Sequence, residues 1–227
     1  MWTLASQAHV RRLRHSLGQL QAGERGEIMN IVCVDDGQRW IYYARLGLGF
    51  SYGLTSYYSD VNDIPMGIVD KLNAVIDKLV AVGGGEDKFL RQIPVCYIIQ
   101  APLYWWSEMD TYKVGTTAQS ESTMHNLGSV PVFSQSMFER TVPSDMLDEL
   151  NVVLSRYKVS HSSKDFLSLK AMLPSGWLQR RMWTANYAVI KNIYRQRKNH
   201  RLPEWHQFCD FIRTNTPMII QSIFKED

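Results

Sequence analysis

The sequence has few cysteines, and none of them sits in a metal-binding pattern. Cys33, Cys96 and Cys209 are odd in number and far apart, and none has a Cys or His partner at metal-ligand spacing. This arrangement argues against a disulfide framework and against a zinc site. We therefore expect no bound metal and a reducing compartment, the cytoplasm.

Long apolar runs and a strong excess of one charge are also absent. No hydrophobic stretch approaches the length that spans a bilayer, so we expect no membrane segment. The formal net charge of +3 argues against a general nucleic-acid binder, which has to neutralise many phosphates. With 45% hydrophobic and 21% charged residues, the 227-residue chain has the composition of a folded globular protein.

The N-terminus lacks acidic residues. Residues 1–22 contain three arginines and no Asp or Glu. Two interpretations stay open, a short amphipathic helix and a transit-type presequence. We expect an N-terminal basic arm or extension over residues 1–28, followed by a single domain over residues 29–227.

The periodicity of the remaining chain predicts an α+β fold, with helices packed against an antiparallel or mixed sheet. The predicted strands are 29–34, 93–106 and 177–184. The predicted helices are 66–81, 144–157, 164–172, 187–198 and 204–224. Caps are expected at Ser144 and Asn186, and Pro203 is expected to open the last helix.

Several local predictions depend on proline, glycine and tryptophan. Pro94 and Pro102 confine the strand 93–106 to a sheet edge or split it in two. Within that strand, Trp105 and Trp106 would face opposite sides. The glycine-rich stretch 47–53 is predicted to be a loop, whereas the pattern before it fits either a strand or a helix.

The polar stretch 107–142 is a candidate functional segment, because long irregular stretches in compact domains are often functional. His125 lies near Glu121 and is either an acid/base partner or a surface residue. Glu108 and Asp110 are placed on a possible strand end, and a paired-carboxylate mechanism is not expected for them.

Basic and aromatic residues are interleaved between Trp177 and Trp205. The basic ones are Arg180, Arg181, Lys191, Arg195, Arg197, Lys198, His200 and Arg201. Guanidinium groups bind phosphates in a fork and aromatic rings stack on bases, so the segment suits a nucleotide. A solvated helix face and a single-stranded nucleic-acid site are the alternatives.

Helix geometry limits how one nucleotide could be held. Asn186 and Arg197 lie eleven residues apart, roughly 16 Å along one helix face. Arg180 lies further back along the chain. Unless the chain folds back, one copy does not bring Arg180 and Arg197 to the same nucleotide, so we expect a homo-oligomer with sites shared between subunits.

Two blocks together resemble the flavin-dependent thymidylate synthases (ThyX). The first block contains, in order, Leu173-Pro174, Arg180, Trp183-Thr184-Ala185-Asn186, Arg197, His200 and Trp205. The second contains Phe89, the strand IPVCYIIQ, Ala101-Pro102 and LYWWSEMDTYKVG. The resemblance rests on the order and spacing of these motifs and implies the ThyX fold.

The chain departs from the family pattern at several positions. Where the family has an Arg-His-Arg motif that contacts the flavin, this chain has Thr111-Tyr112-Lys113. A family glutamine at the nucleotide site corresponds to Glu108, and a nucleotide-contacting serine corresponds to Ser120 or Ser122. A family histidine corresponds to Arg91, which with Lys113 would replace the lost positive charge.

The resemblance implies reductive methylation of dUMP, or a related one-carbon transfer, in a cytoplasmic homotetramer. Methylenetetrahydrofolate would donate the carbon, FAD would carry hydride and NADPH would reduce the flavin. Arg180 of a neighbouring subunit would hold the phosphate. Arg197 would be catalytic, facing the base and stabilising negative charge on it, while Asn186 and His200 would contact the flavin.

The implied reaction uses no enzymic nucleophile, so structural roles are expected for Cys96 and Cys209. Because the flavin motif is altered, a diverged pyrimidine-nucleotide-binding protein of the same fold, without flavin activity, is the first alternative. A single-stranded nucleic-acid-binding module is the second alternative.

Overall fold

The computed structural model describes residues 29–225, so the predictions for residues 1–28 lie outside the described residues. Its strands are β1 Asn30–Asp35, β2 Pro94–Pro102, β3 Thr117–Ser120 and β4 Leu178–Asn186. Its α-helices are α1 Gln38–Ser51, α2 Met66–Val82, α3 Leu103–Met109, α4 Thr123–Asn126, α5 Ser144–Ser160, α6 Ser163–Met172, α7 Tyr187–Arg197 and α8 Pro203–Asn215. Short 3₁₀ segments are Val61–Asp63, Lys88–Gln92, Leu127–Ser129, Gln135–Met137 and Met218–Phe224.

The four strands form one antiparallel sheet in the order β1-β2-β4-β3. Helices pack on this sheet, which confirms the predicted α+β architecture. Pro94 and Pro102 are the first and last residues of β2, which pairs with both β1 and β4. The prediction of an edge or split strand is therefore wrong, because each proline sits at a strand end, where proline is tolerated.

The main core lies on one face of the sheet. Along β2 the side chains of Val95, Tyr97, Ile99 and Ala101 are buried, whereas the residues between them are partly exposed. This period of two is what a sheet with one covered face requires. Tyr97 stacks on Trp183 of β4 at a centroid separation of 6.1 Å.

The predicted strand 93–106 runs four residues past the end of β2. The chain turns at Pro102 into helix α3, and Trp105 and Trp106 are both fully buried on it. The expectation that the two indoles face opposite sides is therefore wrong. Trp106 donates its indole N–H to the carbonyl of Gln179 at 2.9 Å, which fixes α3 against β4.

A second, smaller hydrophobic core lies within residues 127–177. The antiparallel pair α5 and α6 builds it around Leu150, Leu154 and Leu169. Both helices were predicted, but Ser144 makes no capping hydrogen bond and Pro143 occupies the N-cap position. The fixed φ of proline sets the direction in which the chain enters α5, although proline has no side-chain acceptor for the first N–H groups of the helix.

Helix α1 runs through the glycine-rich stretch, so the predicted loop at residues 47–53 is wrong over most of its length. Gly49 is buried against Thr55, and a Cβ there would lie 2.3 Å from the Thr55 Oγ1. The glycine therefore serves close packing rather than a turn. Thr55 is fully buried and donates to the carbonyl of Leu46 at 2.7 Å.

The last predicted helix is interrupted. Helix α8 ends at Asn215, and a 3₁₀ segment begins at Met218 after Pro217. Thr216 is extended, with φ −82° and ψ 132°, because proline disfavours the helical conformation in the residue before it. The opening of α8 at Pro203 is confirmed.

Helix α7 follows β4 directly and is held at its N-terminal end and in its middle. Asn186 ends β4 and accepts a hydrogen bond from the Val189 N–H at 3.2 Å, which confirms the predicted cap. Lys191 is buried and donates to the Val80 carbonyl at 2.7 Å and to Asp87 at 2.6 Å. Its charge thus lies at the C-terminal end of α2, where a cation is favoured.

No helix within residues 29–225 is long and apolar enough to cross a membrane.

Gly49→Ala is expected to lower the free energy of unfolding by about 1–3 kcal/mol, because overpacking a filled core forces its neighbours to move. The matched control is Gly47→Ala in the same helix, where the nearest atom to the added methyl is 3.4 Å away on the Gln92 side chain. That control should be neutral or stabilising by up to about 1 kcal/mol. Denaturant unfolding measures both, and equal effects would contradict the packing role of Gly49.

Candidate functional site

Arg197 is the last residue of α7, and its guanidinium group is surrounded by groups from three other parts of the chain. Nη1 donates to Glu108 Oε2 at 2.9 Å, and Nε donates to the Tyr112 hydroxyl at 2.9 Å. The guanidinium carbon lies 4.7 Å from the Trp205 ring centroid. A cation is favoured at this end of α7 by the helix dipole.

Glu108, at the end of α3, is the acceptor that joins this group. Its Oε2 also accepts from the Trp205 indole N–H at 2.8 Å and lies 3.4 Å from His200 Nε2. His200 Nδ1 accepts from the Leu202 N–H at 3.2 Å, so in the neutral imidazole the proton lies on Nε2. We call Glu108, Tyr112, Arg197, His200 and Trp205 the Arg197 cluster.

The sequence placed Glu108 and Asp110 on a strand end, but this prediction is wrong because they lie on a helix. Both lie at the C-terminal end of α3, and Asp110 binds Arg181 at 2.8 Å rather than joining the Arg197 cluster. Arg181 also lies over the Trp106 ring at 4.2 Å. Among the basic residues predicted to bind phosphate, Arg181, Lys191 and Arg197 thus have carboxylate partners within the chain.

A buried polar group fixes α8, which carries Trp205. The Tyr104 hydroxyl lies between the carboxylates of Glu139, at 2.9 Å, and Glu204, and Glu204 is fully buried. Arg140 binds Glu139 at 3.0 Å. Burial, together with hydrogen bonds to Glu204 and Glu139, raises the pKa of Tyr104, so its hydroxyl stays protonated and donating.

The segment from Asp110 to Thr116 runs along α7 from its C-terminal to its N-terminal end. Tyr112 donates to Gln196 at 2.8 Å, near the C-terminal end. Gly115 packs against Asn186 and Val189, at the N-terminal end, and has φ 78°. The Thr111 hydroxyl donates a hydrogen bond to the backbone carbonyl of Glu108 at 2.7 Å.

The residues predicted to contact a cofactor divide between the two ends of α7. Thr111 and His200 lie near Arg197, at the C-terminal end. Asn186 lies at the N-terminal end, and Pro94, three residues after Arg91, pairs with it. The side chains of Arg91 and Lys113 are exposed and bind no residue within the described range 29–225.

Arg180 lies in a different environment from Arg197. It pairs loosely with Glu121, with Nη1 4.0 Å from Oε1, and its side chain is 40% exposed. Ser120 and Ser122 flank Glu121 in the chain. Arg180 and Arg197 share no contact residue in the described part of one chain, and Glu121 is directed to Arg180 rather than to His125.

The cysteines are poor nucleophiles in this structure. Burial, with smaller contributions from nearby carboxylates, raises the pKa of Cys33 and of Cys209 to about 12. Burial likewise raises the pKa of Cys96. Residues 29–225 contain no group of three or more His, Cys, Asp or Glu side chains placed to hold a metal ion.

Some of the site could not be found from the sequence. Glu204 occupies the first turn of a helix, where an acidic residue ordinarily faces solvent and the helix dipole. Nothing in the local sequence indicates that Glu204 is buried beside Tyr104. The pairing of Arg181 with Asp110 was likewise missed, because 71 residues separate them.

No protein-family model matches the chain, and no curated protein sequence matches it either. The fold does match solved structures. ThyX from Helicobacter pylori, in a crystal structure with FAD and dUMP, superposes with a TM-score of 0.62 at 12% identity over 87% of this chain and 97% of that one. A second structure of this enzyme with FAD and dUMP gives 0.61 at 11% identity, over 86% and 97% of the two chains.

A third similar structure is a UMP/dUMP methylase, PolB, from Streptomyces cacaoi, bound with 5-Br dUMP. It superposes with a TM-score of 0.55 at 11% identity over 86% of this chain and 94% of that one. Identities this low show the fold alone. The chain therefore has the ThyX fold, as the two sequence blocks predicted.

The raised pKa values predict slow alkylation of the native protein. At pH 8 the thiols of Cys33 and Cys209 are almost wholly protonated, because their pKa values lie near 12, and the thiolate is the reactive form. Iodoacetamide should modify the folded protein far more slowly than the protein in guanidinium, as read by mass spectrometry. Rapid modification of Cys96 or Cys209 in the native state would contradict the structural roles expected for them.

Proposed function

We propose that this protein is a pyrimidine-nucleotide enzyme that transfers a one-carbon unit to the base. Reductive methylation of dUMP is the first candidate reaction. The observation that carries the proposal is the Arg197 cluster, a cationic donor packed beside two aromatic rings. It occurs in a fold whose solved examples were crystallised with FAD and dUMP, or with a brominated dUMP.

The Arg197 cluster suits a planar base that gains negative charge during reaction. The partly exposed Tyr112 gives a flat surface, and the fully buried Trp205 ring packs edge to face behind it, with the two centroids 6.2 Å apart. Arg197 supplies a donor whose charge is fixed in place by Glu108 before the substrate arrives. Prearranged donors of this kind stabilise developing charge without reorganisation.

The phosphate would be held by Arg180 of a neighbouring subunit, with Ser120 and Ser122 as further donors. Arg180 is half-exposed and only loosely paired, so it is available to an anion. Because Arg180 and Arg197 share no contact within one chain, a complete site requires a second copy. We therefore include a homo-oligomer with shared sites, a tetramer, in the proposal.

The N-terminal end of α7 fits the phosphates of a dinucleotide cofactor such as FAD. Arg91 and Lys113 provide two cations without internal partners in the described chain, and the helix N-terminus attracts anions. Asn186 accepts the Val189 N–H with its side-chain oxygen, which caps the helix and keeps the amide N–H₂ for a ligand. When bound, FAD supplies reducing equivalents that NADPH provides, and methylenetetrahydrofolate supplies the carbon.

One observation favours a second candidate, a nucleotide-binding protein of this fold without flavin activity. Thr111 and His200, which would contact the flavin ring, are already engaged with Glu108 and its neighbours. A protein that keeps only the nucleotide site would show this pattern. The two candidates differ in whether FAD binds.

Pyrimidine nucleotides are expected to raise the melting temperature. At a ligand concentration about 100 times Kd, binding stabilises the protein by about 2.7 kcal/mol, and each kcal/mol raises Tm by about 2–4 °C in a chain of this size. Arg197→Met should abolish most of this shift with dUMP and with dCMP. Arg156→Met, on the exposed side of α5, is the control that should retain it.

The contribution of the phosphate to binding is measured by comparing the melting-temperature shift with dUMP to the shift with deoxyuridine. Arg180→Met should reduce the shift with dUMP to that with deoxyuridine. The proposal would be wrong if millimolar pyrimidine nucleotide left the melting temperature unchanged.

The visible spectrum separates the two candidates. A flavin enzyme should be yellow as isolated, or should bind added FAD with a dissociation constant that rises at least tenfold in the Arg91→Gln/Lys113→Gln double variant. Lys158→Gln, which removes a cation elsewhere on the surface, is the control. Colourless protein that binds nucleotide but no FAD would select the second candidate.

A further inference from the structure

The first turns of α1 carry two large aromatic side chains that the proposed site does not use. Trp40 and Tyr43 are 43% and 50% exposed, and their rings meet edge to face with centroids 5.9 Å apart. The opposite side of α1, with Ile41 and Ala44, is buried in the main core. The two exposed rings therefore offer a flat apolar surface to a ligand.

This surface begins beside the N-terminal end of α7. Gly37 directly precedes α1, and a Cβ there would lie 2.6 Å from the Pro94 carbonyl oxygen. Pro94 pairs with Asn186, which caps α7. Trp40 follows Gly37 by one helical turn, so its backbone lies within roughly 10 Å of this point.

The side of α1 that carries Trp40 faces the segment that carries Arg91. Trp40 and Gly47 are seven residues apart, and this spacing places them on the same side of the helix. A Cβ at Gly47 would lie 3.4 Å from Oε1 of Gln92, which follows Arg91 in the chain. The aromatic surface thus adjoins the proposed cofactor-phosphate site.

Carboxylate acceptors lie between the aromatic surface and this site. Asp35 is exposed, and its Oδ1 accepts the Gly37 N–H at 2.8 Å, which leaves Oδ2 without a partner in the described chain. Asp36 Oδ1 accepts the Gln38 N–H at 3.0 Å in the same way. In dinucleotide sites a carboxylate accepts hydrogen bonds from ribose hydroxyls. The start of α1 therefore provides groups suited to a base and to its ribose.

We propose that the surface formed by Trp40 and Tyr43 binds the adenine ring of FAD. The ribose hydroxyls donate to Asp35, and the phosphates lie at Arg91 and Lys113. Because stacking on aromatic side chains tolerates any base, the assignment to adenine comes from the adjoining phosphate site. The inference rests on the proposed function, since it assumes a dinucleotide at this end of α7, and it adds the residues that hold the non-reacting half.

The test compares FAD with FMN, which lacks the adenosine monophosphate half. Dissociation constants are measured by calorimetry on the full chain. Trp40→Ala should weaken FAD binding roughly five- to a hundredfold, the range for one base stacked on an aromatic side chain, and should leave FMN binding unchanged. ADP, which contains no flavin, should lose affinity in the same variant.

Two further variants serve as controls. Trp40→Phe keeps an aromatic ring and should retain most of the affinity for FAD. Phe50→Ala removes another exposed ring of α1, roughly 15 Å further along the helix, and should change neither constant. Circular dichroism checks the fold of each variant, and light scattering gives its oligomeric mass.

The outcomes separate the inference from the function on which it rests. An unchanged affinity for FAD in Trp40→Ala overturns the adenine site and leaves the proposed function standing. If that variant instead loses oligomeric mass, the surface is a subunit interface, and if it loses only NADPH binding, the assignment to FAD is wrong. A wild type that binds none of FAD, FMN and ADP overturns the inference together with the proposed cofactor, whereas the melting-temperature shift with dUMP tests the base site independently.

Discussion

The carboxylate of Glu108 is the interaction on which the arrangement of the candidate site depends. One oxygen binds Arg197 at the end of α7 and Trp205 in the first turn of α8, while Glu108 itself lies in the last turn of α3. Three helices are thereby joined at one point. A charge that holds two donors in a partly buried place is costly to remove, because its partners would be left without an acceptor.

Helix α7 provides the frame for both halves of the proposed site. Its N-terminal end is capped by Asn186, and its middle is fixed by the buried Lys191. The segment beside it begins near Tyr112 at one end and reaches Gly115 at the other. The proposed base site and the proposed cofactor-phosphate site lie at opposite ends of α7, so the length of one helix sets their separation.

Local signals in the sequence predicted much of this fold. The apolar spacing of α2, the cap at Asn186 and Pro203 at the start of α8 are each read from a few neighbouring residues, and each is confirmed. The errors have a common cause, because they depend on distant partners. Gly49 is needed for the close approach of Thr55 rather than for a turn, and β2 is internal because β1 and β4 pair with it.

The sequence indicated several residues of the candidate site, but it did not indicate which of their side chains pair. The order of Arg180, Asn186, Arg197, His200 and Trp205 pointed to the ThyX fold, and solved structures match that fold. The pairing of Glu108 with Arg197 spans 89 residues. Short-range periodicity carries no information about such a contact, and neither does it reveal the burial of Glu204.

The fold contains two separate hydrophobic cores, and the boundary between them divides the α5–α6 region from the sheet. The core around Leu150 and Leu169 is separate from the core under the sheet. The backbone joins them through a few hydrogen bonds near Trp177, including Leu103 N–H to the Trp177 carbonyl at 3.1 Å. Contiguous units of this kind open with different free energies, so amide protons of the α5–α6 pair would exchange through an opening that leaves the sheet closed and the end of α7 intact.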